Sequence, residues 1–212
     1  DAAAIQARVE TMIERRLARA RSSGGDSYAS LVLGDDPILY WNFDEADGNA
    51  LQRAPVVLPD PDNTRNTLAA MGGVRADHAA LGSGLTLGYA GEFDGSGRFQ
   101  ASGLELGRAG LSGPYAIELW FQIQGDNDGE RQDYLANFGP NAPGVIYDYK
   151  PDELELFGGA GGRTDGGPIL SDNAWHHLMW VYYGDGERGV ADRVDAILDG
   201  ERVSIAVALD GT

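Results

Sequence analysis

Two acids spaced two residues apart, Glu153 and Glu155 in Asp152-Glu-Leu-Glu155, are the nearest approach in this chain to a catalytic pair. On a strand, residues i and i+2 share a face. A carboxylic acid and a carboxylate held about 5–5.5 Å apart are what a retaining glycosidase uses. Leu154 and Leu156 explain the same run as a half-buried strand with leucines inward and acids outward. A second run, Asp126-Asn-Asp-Gly-Glu130, clusters oxygen ligands around a glycine. Asp126, Asp128 and Glu130 are of the type a hard cation such as calcium takes. The run is shorter than a full calcium loop and is also ordinary hairpin-turn chemistry, so both readings stand. His176 and His177 are adjacent and fall on opposite faces of a strand, which prevents them from chelating one metal together. His78 stands alone in a stretch that reads as a loop.

Sugar recognition needs an aromatic ring beside polar groups. Trp120 and Trp180 are candidates, each on the face opposite an apolar series, and Tyr147 and Tyr149 are others beside a Gly-rich stretch. For each tryptophan the favoured reading is core, because both faces are covered in a β-sandwich and a buried indole carries a large apolar surface. Other chemistries are excluded. There is no phosphate-binding Gly-x-x-x-x-Gly-Lys, no dinucleotide fingerprint and no local Ser/His/Asp arrangement. The absence of cysteine removes disulfides, thiol nucleophiles and thiolate zinc sites. A net charge of −17 argues against a nucleic-acid or anionic-membrane partner, since phosphate contacts need a basic surface. No run approaches the ~18 apolar residues of a membrane span, and the N-terminus has no apolar signal-peptide region.

The elements that would position these residues are mostly strands. Asp1 to Arg21 is predicted helical, with Ile5, Val9, Met12, Ile13 and Leu17 forming one apolar stripe, and Ser22-Ser-Gly-Gly25 ends it. Residues 1–25 thus read as a helix and linker, and 26–212 as one β domain. A short helical turn is predicted at Tyr28 to Leu33, then a strand at Ile38 to Phe43. The polar, Pro- and Gly-rich stretch from Leu51 to Gly84 reads as a surface excursion with at most a short strand. Further strands are predicted at Leu85–Phe93, Arg98–Ala101, Tyr115–Ile123, Asp133–Phe138, Val145–Tyr149 and Glu153–Phe157, with Gly158 to Gly167 as a loop. Tyr115, Ile117, Leu119, Phe121 and Ile123 alternate onto one face. Trp175 to Tyr183 carries large side chains on both faces and should be a central, covered strand. It should form a long hairpin with Val194 to Glu201, and Glu201 to Leu209 should return beside it.

Four of these segments resemble the laminin-G-like, concanavalin A-like lectin-glucanase superfamily in its bacterial version: Tyr40-Trp-Asn-Phe-Asp-Glu45, Gly91-Glu-Phe-Asp-Gly-Ser96, Tyr115-Ala-Ile-Glu-Leu-Trp-Phe121, and Trp175-His-His-Leu with Leu198-Asp-Gly200. The resemblance implies an all-β jelly-roll sandwich of antiparallel sheets behind the N-terminal helix, with the histidine pair structural. It implies a non-catalytic binding or adhesion module of a larger extracytoplasmic protein, holding glycan or protein through loops at the sandwich rim, with calcium in some relatives. The Glu-x-Asp-x-x-Glu pattern of the glucanase relatives is missing around Glu153, which weakens the reading as a glycan-active enzyme. Relatives continue past the Asp-Gly turn to a closing strand beside the opening one. Here the sequence reaches Thr212 after one return strand, so an incomplete sandwich is expected, with Leu39, Trp41 and Phe43 near an open edge. A structural or assembly subunit, contacting neighbouring chains through that edge and the helix, is the alternative function.

Overall fold

The computed structural model describes residues 7, 11, 14–15, 28–43, 45, 49–51, 53–54, 66–81, 86–101, 115–124, 132–138, 143–148, 152–157, 162–165, 167–183 and 194–207. The chain divides into two compact units, Glu14–Leu104 and a second made of Asp1–Ile13 with Glu105–Thr212. The predicted helix at Asp1 to Arg21 lies largely outside the described residues. The four described there, Ala7, Thr11, Glu14 and Arg15, are helical, and Thr11 Oγ1 donates to the Ala7 carbonyl at 2.8 Å.

In the unit Glu14–Leu104 the first helix described along its length is α1, Tyr28–Gly34. Asp36, at φ 53°, and Pro37 stop the helix, and the Asp35 and Asp36 amides cap the Val32 and Leu33 carbonyls. Strands β1 (Ala69–Met71), β2 (Val74–Leu81), β3 (Thr86–Phe93) and β4 (Arg98–Gln100) form two antiparallel pairs, β1 with β4 and β2 with β3. The Asp94-Gly95-Ser96 turn is held by Asp94 Oδ1, which accepts from the Ser96 amide (2.8 Å) and hydroxyl (2.7 Å). Phe43 and Phe93 both pack edge-on against Phe99 over Gly91. A Cβ on Gly91 would sit 2.8 Å from the Phe99 ring and 3.3 Å from that of Phe43, so only glycine lets the rings close. Two of the resembling segments therefore meet in this unit.

The other unit is built on one eight-stranded antiparallel sheet. Its strands are β5 (Tyr115–Gln122), β6 (Gln132–Asn137), β7 (Gly144–Asp148), β8 (Glu153–Phe157), β9 (Gly162–Asp165), β10 (Trp175–Tyr182), β11 (Val194–Leu198) and β12 (Glu201–Val207). They lie in the order β5-β10-β11-β12-β9-β8-β7-β6. β7 is five steps from β10, about 24 Å away in a flat sheet. Yet Val145 and Tyr147 of β7 share one buried cluster with Leu178 and Trp180 of β10. The sheet must therefore curl until its two halves face each other. The bend falls in β12: Glu201, Arg202 and Val203 pair with β11, whereas Ser204 to Val207 pair with β9. Asp199 and Gly200 turn β11 into β12 with φ of 54° and 86°, the double positive φ of a type I′ hairpin that matches strand twist.

Alternation decides what enters the core. Ile117 and Phe121 of β5 and Ile123 just after it are buried, as their spacing predicts, with Tyr115 and Leu119 packed beside them. β10 is central, flanked by β5 and β11, and both its faces are covered: Leu178, Trp180 and Tyr182 on the main core, Met179 and Val181 with Ile197 on the other side. The described residues are predominantly β, as expected, with one eight-stranded antiparallel sheet that curls nearly closed and two two-stranded pairs.

Three expectations need correction. Ile38 to Phe43 is not a strand. Phe43 has φ 55°, which breaks the pleat, the Tyr40 carbonyl accepts the Arg53 amide, and Trp41 Nε1 donates to the Asn66 carbonyl, with no ladder partner among the described residues. β2 occupies part of the stretch read as an excursion, which also places His78 in a strand, opposite Ala90 of β3. β9 forms inside the stretch read as a glycine loop, because β8 and β12 flank it and supply its hydrogen bonds.

Candidate functional site

One ionisable cluster among the described residues sits where β10 begins and β11 turns into β12. Asp172 Oδ1 accepts the Ala174 amide at 2.7 Å, and Asn173 takes φ 63°, so the chain swings into Trp175 and the strand. His176 then faces the core, 3% exposed, with its ring 5.7 Å from that of Phe121. Its Nδ1 lies 2.8 Å from Asp199 Oδ2 and its Nε2 lies 3.2 Å from Asp172 Oδ1. His177 faces the other way, as strand alternation requires. Its Nε2 is 2.8 Å from Glu118 Oε1 on β5, and its ring stacks at 4.7 Å on Trp120. The His177 amide donates to Asp199 Oδ1, and the Asp199 amide donates back to the His177 carbonyl, each at 2.8 Å. One aspartate thus clasps the strand backbone and a buried imidazole together. That explains physically why Trp-His-His and Asp-Gly occur as a pair.

The Asp172 carboxyl is held below the usual carboxylate range, first by the Ala174 amide and then by His176. A depressed acid contributes stability above its unfolded pKa, and that contribution is lost as the pH falls through the folded one.

Glu153 and Glu155 stand half-buried on β8 while Leu154 and Leu156 are fully inside, which is the half-buried strand of the plainer reading. Arg163 on β9 lies opposite Glu155, 3.1 Å from its Oε2, and 3.4 Å from Asp148 Oδ2. Burial raises the Glu153 carboxyl above its ordinary range, with Asp165 and Asp148 adding to the rise and Arg163 opposing it. Glu155 and Asp148 therefore share the Arg163 guanidinium in a cross-strand ion network, and Glu153 feels its charge without an ion pair among the described residues.

The aromatic candidates separate. Trp180 and Tyr147 are both fully buried in the main core, so neither presents a ring face to a ligand. Trp180 fits because Ala196, a small residue, stands directly across from it on β11. The Tyr147 hydroxyl donates to Asp152 Oδ1, while Asp152 Oδ2 accepts the Leu170 amide at 3.0 Å. Asp152→Ala should remove the carboxylate that joins the Tyr147 hydroxyl to the Leu170 amide, at about 2–3 kcal/mol; urea unfolding of the variant checks this. Trp120 is half-buried, beside Glu118, Gln122 and His177, and keeps an aromatic edge near polar groups. Tyr149 and the calcium candidates Asp126, Asp128 and Glu130 lie outside the described residues. Among the described residues, no three His, Asp or Glu side chains gather so as to hold a metal ion.

Sequence reasoning did not name Asp172, and it took Asp152 and Asp199 only as members of the Asp-Glu-Leu-Glu run and the Asp-Gly turn, without their bonding roles. Their sequence signals are modest: an aspartate four residues before the first histidine of the pair, and the Asp199-Gly200 dipeptide; the structure adds that Asp152 and Asp199 hold positive φ. In comparison with known proteins, no family model matches this chain, and no curated protein and no solved structure matches it.

Proposed function

We propose that this chain is a non-catalytic binding or adhesion module of the laminin-G-like, concanavalin A-like jelly-roll kind, part of a larger extracytoplasmic protein. It engages glycan or protein through loops at the rim of its β body. The observation that carries this reading is the Asp199 clasp. The Trp-His-His and Asp-Gly residues that bear the family resemblance are bonded to one another around the hairpin. The other conspicuous acids, Glu155 and Glu118, are likewise engaged, by Arg163 and His177. Side chains committed to holding strands together are poorly placed to move protons on a substrate, which supports recognition rather than turnover. Trp120, with Glu118 and Gln122 beside it, is the ring we assign to a sugar contact. Asp126, Asp128 and Glu130, in the segment joining β5 to β6, are the residues we assign to calcium.

The test is binding of the whole chain to glycan and protein arrays, with and without calcium. Saturable binding to one ligand class is expected. Trp120→Ala should weaken a glycan interaction by about 2 kcal/mol, roughly thirtyfold, as for an aromatic anchor at a binding site. Glycan hydrolysis abolished by Glu155→Gln would overturn the proposal. Concentration-dependent self-assembly in light scattering, without array binding, would favour the assembly subunit instead.

A further inference from the structure

The Asp172–His176–Asp199 arrangement has a property that a merely structural histidine does not need. Both ring nitrogens of a buried imidazole face carboxylate oxygens, at 2.8 Å and 3.2 Å. A neutral imidazole has one N–H and one bare lone pair. With either tautomer, one carboxylate would face a lone pair instead of a donor. Only the doubly protonated ring donates to both sides, through two charge-assisted hydrogen bonds. The groups facing the ring are Asp172 from the loop before β10, Asp199 from the β11–β12 turn, and the uncharged Phe121 ring from β5. The next titratable pair, His177 with Glu118, lies on the opposite face of β10.

We propose that this triad is a proton-operated latch on the loop ahead of β10. When His176 carries both protons and Asp172 is ionised, Nε2–H holds Asp172, and Asp172 in turn holds the Ala174 amide. When the ring loses a proton, Nδ1–H stays with Asp199, because that contact is the shorter and Asp199 is fixed by two backbone bonds. The bare Nε2 then repels Asp172, so the Asp172 carboxylate and the Ala174 amide it holds come loose, while Gln122 Nε2 on β5 still donates to the Asn173 carbonyl at 2.5 Å. Opening stays local, since Leu170 is buried and tethered separately to Asp152. The same loop begins at Gly167 and Pro168, which with Leu198, Asp199, Glu201 and Val203 line a cleft beside the turn. Acidification of the ring's surroundings therefore closes the loop against β10, and raising the pH frees it. Strong acid also frees it, by protonating Asp172.

Long-range proton–nitrogen NMR of the assigned His176 ring, with amide exchange of Ala174 followed across pH and corrected for the intrinsic rate, tests the latch. Both ring nitrogens should be protonated at the acidic end. Protection of the Ala174 amide should fall about tenfold as the ring deprotonates, the scale of one charge-assisted bond. In Asp172→Asn the side-chain amide can donate to the bare Nε2, so the ring settles as neutral and the step disappears. Asp172 is exposed, so this variant should fold. In Glu118→Gln the step should persist, which assigns it to His176 and not His177. A His176 with one N–H at every pH, or a step that survives in Asp172→Asn, overturns the proposal.

Discussion

Trp180→Ala should destabilise the curled sheet by about 3–5 kcal/mol, a large share of the stability of any domain this size. The indole is fully buried between Ile117 of β5 and Ala196 of β11, and the Tyr115 ring meets it edge-on at 5.8 Å. Its neighbours cannot fill the space. Ala196 is already small, and β10 is pinned by ladders on both sides, so most of the cavity would remain. Trp180→Phe should cost far less, about 1–2 kcal/mol. It keeps an aromatic ring on Tyr115 and removes an indole N–H that has no hydrogen-bond partner among the described residues. Urea titration followed by near-ultraviolet circular dichroism separates the two variants, and a midpoint shift without a slope change marks a true stability effect. A loss below about 1 kcal/mol in Trp180→Ala would mean that the two halves of the sheet do not meet on this residue.

The same residue shows what spacing can and cannot tell. β5 and β8 are legible because their side chains alternate strongly, and β10 because its long bulky apolar run demands cover on both faces. Trp180 itself is ambiguous, because β10 is apolar on both faces and alternation has nothing to contrast. Only the partner on β11, a small alanine at the matching register, identifies it as core. β9 is invisible for the opposite reason: Gly162-Arg-Thr-Asp165 has little strand preference of its own and becomes a strand between β8 and β12. β2, with Ala76, Asp77, Ala79 and Ala80, is hidden in the same way. The opening segment errs in reverse. Ile38 to Phe43 has strand composition but bonds instead to Arg53 and Asn66. A strand is a property of a pair, and composition describes only one member.

The clasp was half-legible. Adjacent histidines on a strand must diverge, and they do. The Asp-Gly dipeptide announces a tight hairpin. What no local rule supplies is that the aspartate of that turn reaches back 22 residues to the His177 amide and 23 to the His176 ring. Such contacts follow from register, and register follows from the whole sheet.

Asp199→Ala should therefore have the second largest effect, about 2–4 kcal/mol, from two separable causes. The first is lost bonding. The His176 ring, 4% exposed, and the His177 amide both lose their acceptor, and burial makes the imidazole's loss the larger one. The second is backbone strain. Asp199 holds φ 54°, where aspartate is tolerated and alanine is disfavoured by about 1 kcal/mol. Asp199→Gly isolates the first cause, since glycine adopts positive φ freely, so it should be less damaging than alanine by about that 1 kcal/mol. Asp199→Asn keeps the φ preference and one oxygen acceptor, but its amide cannot accept the second bond, and it should fall closest to the parent protein. Thermal melts should rank the variants Asn, Gly, Ala in order of increasing loss. Amide exchange should place the damage at His177 and the start of β12. If the alanine variant melts with the parent protein, the aspartate is a turn former only and the clasp contributes nothing to holding β10, β11 and β12 together.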